Sequence, residues 1–445
     1  MTVTERGMAY GIRALTRLAG LDVVDRLGLR DPANRALKRA SATGFRTAGK
    51  VGRTFAATQK RSSPGRLKPE TASRQRGLFD LTPTDDQQML QDAAREFAAG
   101  AIRPAAEQAD HDDATPQELL DSAAELGLAT LGVPEELGGL VEERSAVTST
   151  LIAEALAHGD LSIAVAALAP AAVSTALGLW GDAEQQATYL PAFVGEDVPA
   201  AALCVQEPTA LFDPFALRTR ARRSGDGYVL DGVKSLVPRG KDAELFVVAA
   251  QVEGEDGAAG PALFLVESKV DGITTSPDPA MGLRAASTVK LHLDGVQVPA
   301  GALLGGGAPE VYREAIALGR IAWSALAAGT SKAVLDYVIP YVNEREAFGE
   351  PISHRQAVAF TVSDIAIEAE SIRLLAYRAA SRADAAQSFA REAALARRLV
   401  ADKGMQIGSQ GVQLLGGHGY VKDHPVERWY RDLRAAGVVE GTLLV

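Results

Sequence analysis

Glu440 stands in the segment Val438-Val439-Glu440-Gly441-Thr442 and is the residue best suited to carry chemistry. A carboxylate can serve as a general base, the glycine after it lets the backbone turn freely, and the threonine adds a hydroxyl for a ligand. Most Glu-Gly-Thr triplets are surface turns, so the weight of this one depends on the residues that accompany it. Other reactive types say less. Cys204 is the only cysteine, which rules out an intramolecular disulfide, fits a reducing, cytoplasmic compartment and leaves no CxxC pair. The six histidines form no HExxH and no close His/Cys cluster, so no protein-bound metal site is expected.

A chain of 445 residues is too long for one core, and 47% hydrophobic content is ample for two or three domains. There is no uninterrupted run of 18 apolar residues, which argues against a spanning helix. The net charge of -10 is uneven. Residues 1–80 hold 17 Lys and Arg against 6 Asp and Glu, while the remainder holds 29 against 50. An acidic body argues against nucleic acid as a partner, because phosphate binding needs a basic surface.

The basic arm over 1–59 carries Met8, Ile12, Leu15 and Ala19 at helical spacing, and Phe45, Ala48, Val51 and Phe55 near a second face, with arginines elsewhere on the wheel. That pattern suits an interfacial amphipathic helix meeting a membrane surface peripherally. A solvated extension packed on the body or on a neighbouring subunit fits equally well. Asp22, Asp25 and Asp31 sit poorly with a transit peptide. Residues 60–81 read as a polar linker.

The body divides by its periodicity. Over 82–200 the pattern is helical: Thr84 caps a helix through Met89, Leu90, Ala94 and Phe97, and Thr115-Pro116 opens another that ends at Gly127. The Ala-, Leu- and Val-rich stretch over 142–180 predicts two central, buried helices. Over 201–308 the period changes to strands, at Tyr228 to Leu230, Leu245 to Ala249, Leu263 to Val266 and the alternating Val289, Leu291 and Leu293. Asp226-Gly227 and Asp231-Gly232 serve as turn signals. Over 309–445 helices return, with a bundle stripe at Val358, Val362, Ile365, Ala369 and Ile372. A last helix from Pro425 offers Glu427/Arg431 and Arg428/Asp432 as i,i+4 pairs. The residues alone thus give a multidomain α, β, α enzyme or binding protein of unknown ligand.

Over residues 82–445 the sequence resembles the acyl-CoA dehydrogenases. The resemblance is carried by Met281-Gly282-Leu283-Arg284, LDGVQVPAGALLG at 293–305, REAFGEPI at 345–352 with Gln356 following, QLLGGHGY at 413–420, VERWYRDLR at 426–434 and VVEGT. The wording of the C-terminal motifs is closest to the very-long-chain-like branch. The resemblance implies a mainly α fold with a central β-domain: a helical N-terminal domain, a β-barrel-like middle domain and a C-terminal four-helix bundle, assembled as an oligomer around FAD.

It also implies roles. Glu440 is the base that removes the proton beside the thioester, in an apolar pocket that makes it more basic, with Val438 and Val439 beside it; the neighbouring hydrogen leaves as hydride to FAD, and a 2-enoyl-CoA forms. An electron-transfer flavoprotein then takes the electrons. Some family members place the base on an earlier helix, where this sequence has Gly319, just before Arg320. Arg345 matches a cation that reaches the FAD pyrophosphate of a neighbouring subunit. A surface pairing with Glu344 or Glu346 would be its ordinary role. Phe348, Gln413, Gly416 and Gly417 match other cross-subunit contacts and Gln356 a cofactor contact, although a Gly-Gly pair is more often a helix C-cap. Thr442 matches a hydroxyl beside the cofactor. Arg320 and Asp213 match positions near the CoA thioester.

The departures lie on one face. Gln206-Glu207-Pro208 and Leu211-Phe212-Asp213 replace the family's Thr-Glu-Pro and Gly-Ser-Asp. Leu236 replaces a tryptophan and Pro238 a hydroxyl residue, removing a side-chain donor and a backbone N–H. Leu443-Leu444-Val445 replaces more polar residues, and the sequence stops at Val445, short of the usual tail. Gln206 stands where the family binds FAD. The leading expectation is an FAD-dependent acyl-CoA dehydrogenase forming a homodimer or homotetramer. The alternatives are a subunit with an impaired flavin site in a hetero-oligomer, and a non-catalytic acyl-CoA-binding or membrane-associated protein.

Overall fold

The computed structural model describes residues 68–69, 82–139, 143–195, 197–254 and 260–445. The basic extension over 1–59 lies outside the described residues, as does the linker over 60–81 apart from the backbone at 68–69.

Helix α1 (Asp85–Phe97) begins at Thr84, whose hydroxyl accepts from Gln87 N while the Gln87 side chain accepts from Thr84 N. This reciprocal cap satisfies two donors that the first turn leaves free. Helices α2 (Arg103–Asp112) and α3 (Gln117–Glu125) follow. Thr115 does not cap α3. Its hydroxyl donates to Ala285 O, and Pro116 stands at the helix boundary instead.

Helices α4 (Ala146–Gly159) and α5 (Leu161–Trp180) are apolar on nearly every side, and a helix of that kind belongs inside a protein. The expectation that no segment qualifies as a spanning helix needs correction. Although Ser, Thr, Gly and Pro interrupt its apolar run, α5 is long and apolar enough to cross a membrane, and its apolar window is entirely buried within the fold. Helix α6 (Ala183–Tyr189) closes the N-terminal layer.

The middle region is a seven-stranded sheet of β1 (Ala201–Cys204), β2 (Arg220–Ser224), β3 (Gly227–Val237), β4 (Leu245–Glu253), β5 (Pro261–Glu267), β6 (Ile273–Pro277) and β7 (Val289–Pro299). The order is β1-β4-β2-β3-β7-β6, with β5 on the other edge of β4. Strands β1 and β2 run parallel to β4 and the other pairs are antiparallel. Alternate residues such as Phe246, Val248, Phe264, Val266, Leu291 and Leu293 enclose a separate apolar core. The turn into β3 is at Gly225-Asp226, but Asp231-Gly232 is not a turn. It lies within β3 at a register shift against β7, where a Cβ on Gly232 would come 2.7 Å from Thr219.

The C-terminal region is helical: α7 (Pro309–Glu344), α8 (Gln356–Asp384), α9 (Ala390–Leu399), α10 (Met405–Leu415), the short α11 (Gly417–Tyr420) and α12 (Val426–Ala436). Helix α7 packs against α8, α9 and α10 and also against α4, so one helix joins both helical layers into a common core. Glu427 and Arg431 pair as expected, 2.8 Å apart. Arg428 and Asp432 do not. Arg428 turns to Asp160 at 3.0 Å, and Asp432 accepts from Ser162 Oγ and Leu283 N, because both face the buried side of α12.

Candidate functional site

After α12 the chain makes one further turn, in which Val438 N and Val439 N both donate to Ala435 O, and presents Glu440 to the interior. Glu440 is 6% exposed. Its backbone N–H donates to Gln206 Oε1 at 3.0 Å. Its carboxylate lies between two guanidinium groups. Arg320 of α7 reaches Oε2 through Nε at 3.0 Å and Oε1 through Nη2 at 3.0 Å, and Arg397 of α9 reaches Oε1 through Nε at 3.2 Å. A second nitrogen of Arg397 donates to Ala436 O at the end of α12.

This setting differs from the apolar pocket expected around the base. Val439 is buried, but Val438 is more than half exposed, and the carboxylate is surrounded by cations. Charge-assisted bonds to two arginines fix its orientation. Arg320, matched from sequence to a position near the thioester, here pairs with Glu440, and Arg397 was missed. Two consecutive arginines in an Ala-rich helix carry no spacing signal for which of them turns inward.

The segment after Glu440 needs special backbone. Gly441 has φ 70°, and a Cβ there would come 2.4 Å from Val205. Thr442 also lies in the left-handed region, at φ 73°, where a residue other than glycine is held only by its surroundings. Trp323 of α7 supplies part of that hold, its indole N–H donating to Gly441 O at 2.8 Å. Gly319 packs against this segment, and a Cβ on it would come 3.0 Å from Leu443 O and 3.3 Å from Gly441 Cα. A carboxylate side chain at 319 would meet that segment.

On the sheet side, Gln206 O accepts from Ser235 N, and Asp278 accepts from both Ser235 Oγ and Leu236 N. Asp278 was another residue that sequence reasoning missed. Glu207 accepts from Arg218 N, Thr219 N and the fully buried Lys234 Nζ. Burial pulls Lys234 down to about 8 against the opposing pull of Glu207, while Glu207, despite its own burial, is held below its usual range by Lys234 and the backbone donors. Cys204 next to this pair is pushed up by burial, an inert core thiol. Leu236 is partly buried at φ 52°, and Pro238 is buried.

The loop carrying Leu211, Phe212 and Asp213 is anchored by Tyr312 of α7, whose hydroxyl donates to Pro214 O and whose ring meets Phe215 edge-on. Asp213 accepts from Phe215 N at 2.9 Å, which closes the loop on itself and leaves Asp213 exposed. The Tyr312 phenol is pushed up by burial and then by Glu207, Glu440 and Asp213, so these three carboxylates share one neighbourhood.

The expected cross-subunit residues lie apart from Glu440. Arg345, Phe348 and Gln356 sit on and after a small hairpin (Glu346–Ala347 with Glu350–Pro351) at the foot of α7, and Gln413, Gly416 and Gly417 lie around the end of α10. All six are exposed, Phe348 to 96%. Tyr341 links the two groups, its hydroxyl bonding Leu415 O and His418 while its carbonyl accepts from Arg345 N. A guanidinium, two amides and exposed glycine backbone are the donor types that suit a diphosphate group. Gln206 and Thr442 face the interior instead, beside Glu440.

Beside residues 443–445 is a cavity of about 20 Å³ lined by Leu131, by Ser149 and Ala153 of α4, Leu168, Ala171 and Thr175 of α5, Ala322 of α7, and Leu443, Leu444 and Val445. The buried Arg144 donates to Val445 O.

Three family models cover most of the chain: the N-terminal domain of acyl-CoA dehydrogenases over 84–197, the middle domain over 202–296 and the C-terminal domain over 307–444. The chain is 34% identical over 366 residues to the rat short/branched chain specific acyl-CoA dehydrogenase, covering 81% of this chain and 84% of the relative. Butyryl-CoA dehydrogenase of Megasphaera elsdenii superposes with a TM-score of 0.75 at 28% identity, covering 82% of this chain and 96% of that one. A structure reported with the electron transferring flavoprotein of Acidaminococcus fermentans gives 0.74 at 32% identity, with the same coverage. The resemblance to a very-long-chain-like branch is not supported by relatives with these names.

Proposed function

The chain belongs to the acyl-CoA dehydrogenase family, whose members are enzymes that bind FAD, and from that premise we propose that it desaturates a short or branched acyl-CoA between its α and β carbons, with Glu440 as the base. The observation that carries this reading is the suspension of Glu440. Its backbone is fixed by Gln206 and its carboxylate by Arg320 and Arg397, so the group can take a proton at one defined place. Oε2, which Arg320 alone contacts, is the freer oxygen and the one we assign to the α-proton. Bound FAD supplies the hydride acceptor for the β-hydrogen. Gln206 and Thr442 would hold it from this chain, and Arg345, Phe348, Gln356, Gln413, Gly416 and Gly417 would reach the FAD of a neighbouring copy, which makes a homo-oligomer part of the proposal. Arg320 and Asp213 would border the thioester. An electron-transfer flavoprotein is the proposed electron acceptor, supported by the likeness to the Acidaminococcus structure.

The test is the visible spectrum of the purified protein and its anaerobic bleaching by butyryl-, isobutyryl- and palmitoyl-CoA. The expected result is a yellow protein bleached by the short and branched substrates, with Glu440→Gln retaining colour but not bleaching. A colourless protein that stays apo when FAD is added would overturn the reading.

That colourless outcome would favour a second reading. Gln206 spends its amide oxygen on Glu440 N, and Pro238 offers no donor. Both suit a subunit whose inner flavin face is weakened and which works in a hetero-oligomer. We also propose a cytoplasmic protein whose residues 1–59 touch anionic membrane; deleting residues 1–60 should then reduce sedimentation with anionic liposomes.

A further inference from the structure

One turn of α7 meets Glu440 and the segment that follows it. Gly319, Arg320 and Trp323 stand at i, i+1 and i+4, which puts them on one side of the helix. Gly319 lacks a side chain where Leu443 O and Gly441 Cα come close, and Arg320 takes the Glu440 carboxylate. Trp323 does something different. Its indole N–H donates to Gly441 O at 2.8 Å and so holds main chain directly after Glu440.

That main chain needs holding. Gly441 and Thr442 are both left-handed, at φ 70° and 73°, and two such residues in succession persist only where their surroundings impose it. Among the described residues no other hydrogen bond reaches the backbone of 441–444. On the other side, the Glu440 N–H is tied to Gln206 Oε1. The backbone around Glu440 is thus pinned at two points, Glu440 N and Gly441 O, and the second pin is a single indole. Trp323 is 1% exposed and its ring belongs to the main apolar core, so the donor is itself fixed in place.

We propose that Trp323 is a positioning residue for Glu440. Through Gly441 O it keeps the two left-handed residues in place, and with them the direction from which the carboxylate meets the α-carbon. The proposal rests on the reading of Glu440 as the base. Without the N–H, residues 441 and 442 are free to relax toward ordinary backbone, and Glu440 shifts with them. Misplacement on the order of 1 Å can lower a rate by about a hundredfold. Because Arg320 and Arg397 still restrain the carboxylate, a smaller loss is expected here.

The test separates proton removal from hydride transfer. Acetyl-CoA has no β-carbon, so Glu440 can exchange its α-protons in D2O while no hydride can leave, and mass spectrometry reads the deuterium gained. In the full-length holoprotein, Trp323→Phe should exchange about tenfold slower than wild type. The redox-inert thioether S-butyl-CoA, which has no carbonyl to acidify its α-protons, should still bind to within about threefold of wild type by calorimetry. If Trp323→Phe does not fold, 3-benzothienylalanine at position 323 keeps the bicyclic ring, replaces the N–H by sulfur and allows the same comparison. Unchanged exchange in a folded variant would overturn the proposal and leave Glu440 as the base, as would a loss of S-butyl-CoA affinity equal to the loss of exchange, the mark of a purely structural role. A wild type that exchanges no faster than Glu440→Gln would overturn the reading of Glu440 itself, and the proposal with it.

Discussion

Arg397 grips Glu440 and the helix that leads to it with a single side chain: its Nε lies 3.2 Å from Glu440 Oε1 and another of its nitrogens bonds Ala436 O. Arg320 approaches the same carboxylate from a different helix. Removing Arg397 leaves the pair with Arg320 intact but releases the tether to α12. Arg397→Gln should lower kcat by about tenfold with little change in KM, and Glu440→Gln should lower it by about a hundredfold or more. Steady-state rates with butyryl-CoA check both, and an Arg397→Gln enzyme with a raised KM and normal kcat would contradict the positioning role.

Lys234 and Glu207 form a fully buried pair beneath the Gln206 loop, 2.9 Å apart. Lys234→Met leaves Glu207 charged and without its cation, which should cost about 3–5 kcal/mol of stability by denaturant unfolding. The wild-type pair also sets a pH slope. Lys234 has a folded-state value of about 8 against an unfolded value of 10.5, so between these limits the unfolded chain binds more protons. The contribution of this group to stability should therefore rise with pH from about 8 to about 10.5.

Asp432 and Asp160 give the opposite slope. Burial, and then Asp160, raises Asp432 to about 7, so the folded protein keeps a proton that the unfolded chain releases above its ordinary value of 3.8. Stability from this site is greatest in acid and is lost as pH rises through about 7. Asp432→Asn keeps an acceptor for Leu283 N without the charge. Its melting temperature relative to wild type should climb between pH 5 and pH 8, and parallel melting curves would refute this.

Gly319 of α7 packs closely against the segment after Glu440. Gly319→Ala places a methyl 3.0 Å from Leu443 O and should destabilise by about 1–3 kcal/mol. It should also lower the rate with butyryl-CoA, because the segment it pushes continues directly from Glu440. Loss of stability with an unchanged rate would show that the segment yields without moving Glu440.

Arg345 is exposed, so its replacement leaves the monomer fold alone. Arg345→Gln should purify as a folded protein with a normal melting curve for the apo form and a several-fold lower FAD content. Full FAD occupancy in that variant would remove Arg345 from the cofactor site.

The α, β, α order was legible because it depends on local pattern, the periodicity of each element, and the family was legible from an ordered set of motifs. Residues whose meaning is set by distant partners were not legible. Arg428 was at helical spacing from Asp432, yet its partner is Asp160, 268 positions away. Arg397 meets Glu440 only because α9 is folded against it, and Asp278 meets Ser235 and Leu236 only because the segment after β6 lies beside the end of β3. Asp231-Gly232 has the composition of a turn, and only the pairing of β3 with β7 makes it a bulge. The apolar setting expected for Glu440 failed for the same reason, since Val438 and Val439 are its neighbours in sequence while Arg320 and Arg397 are its neighbours in space.

The attachment of Glu440 to both the sheet and the helices has a mechanical consequence. Its main chain hangs from Gln206, in the loop that follows β1, while its carboxylate is gripped by α7 and α9. A rotation of the sheet against the helices would therefore pull on the two ends of one residue in different directions. The sheet sets how far Glu440 projects, and the helices set where its oxygens aim. Any ligand that wedges those two layers apart, even without touching Glu440, would shift where its carboxylate points.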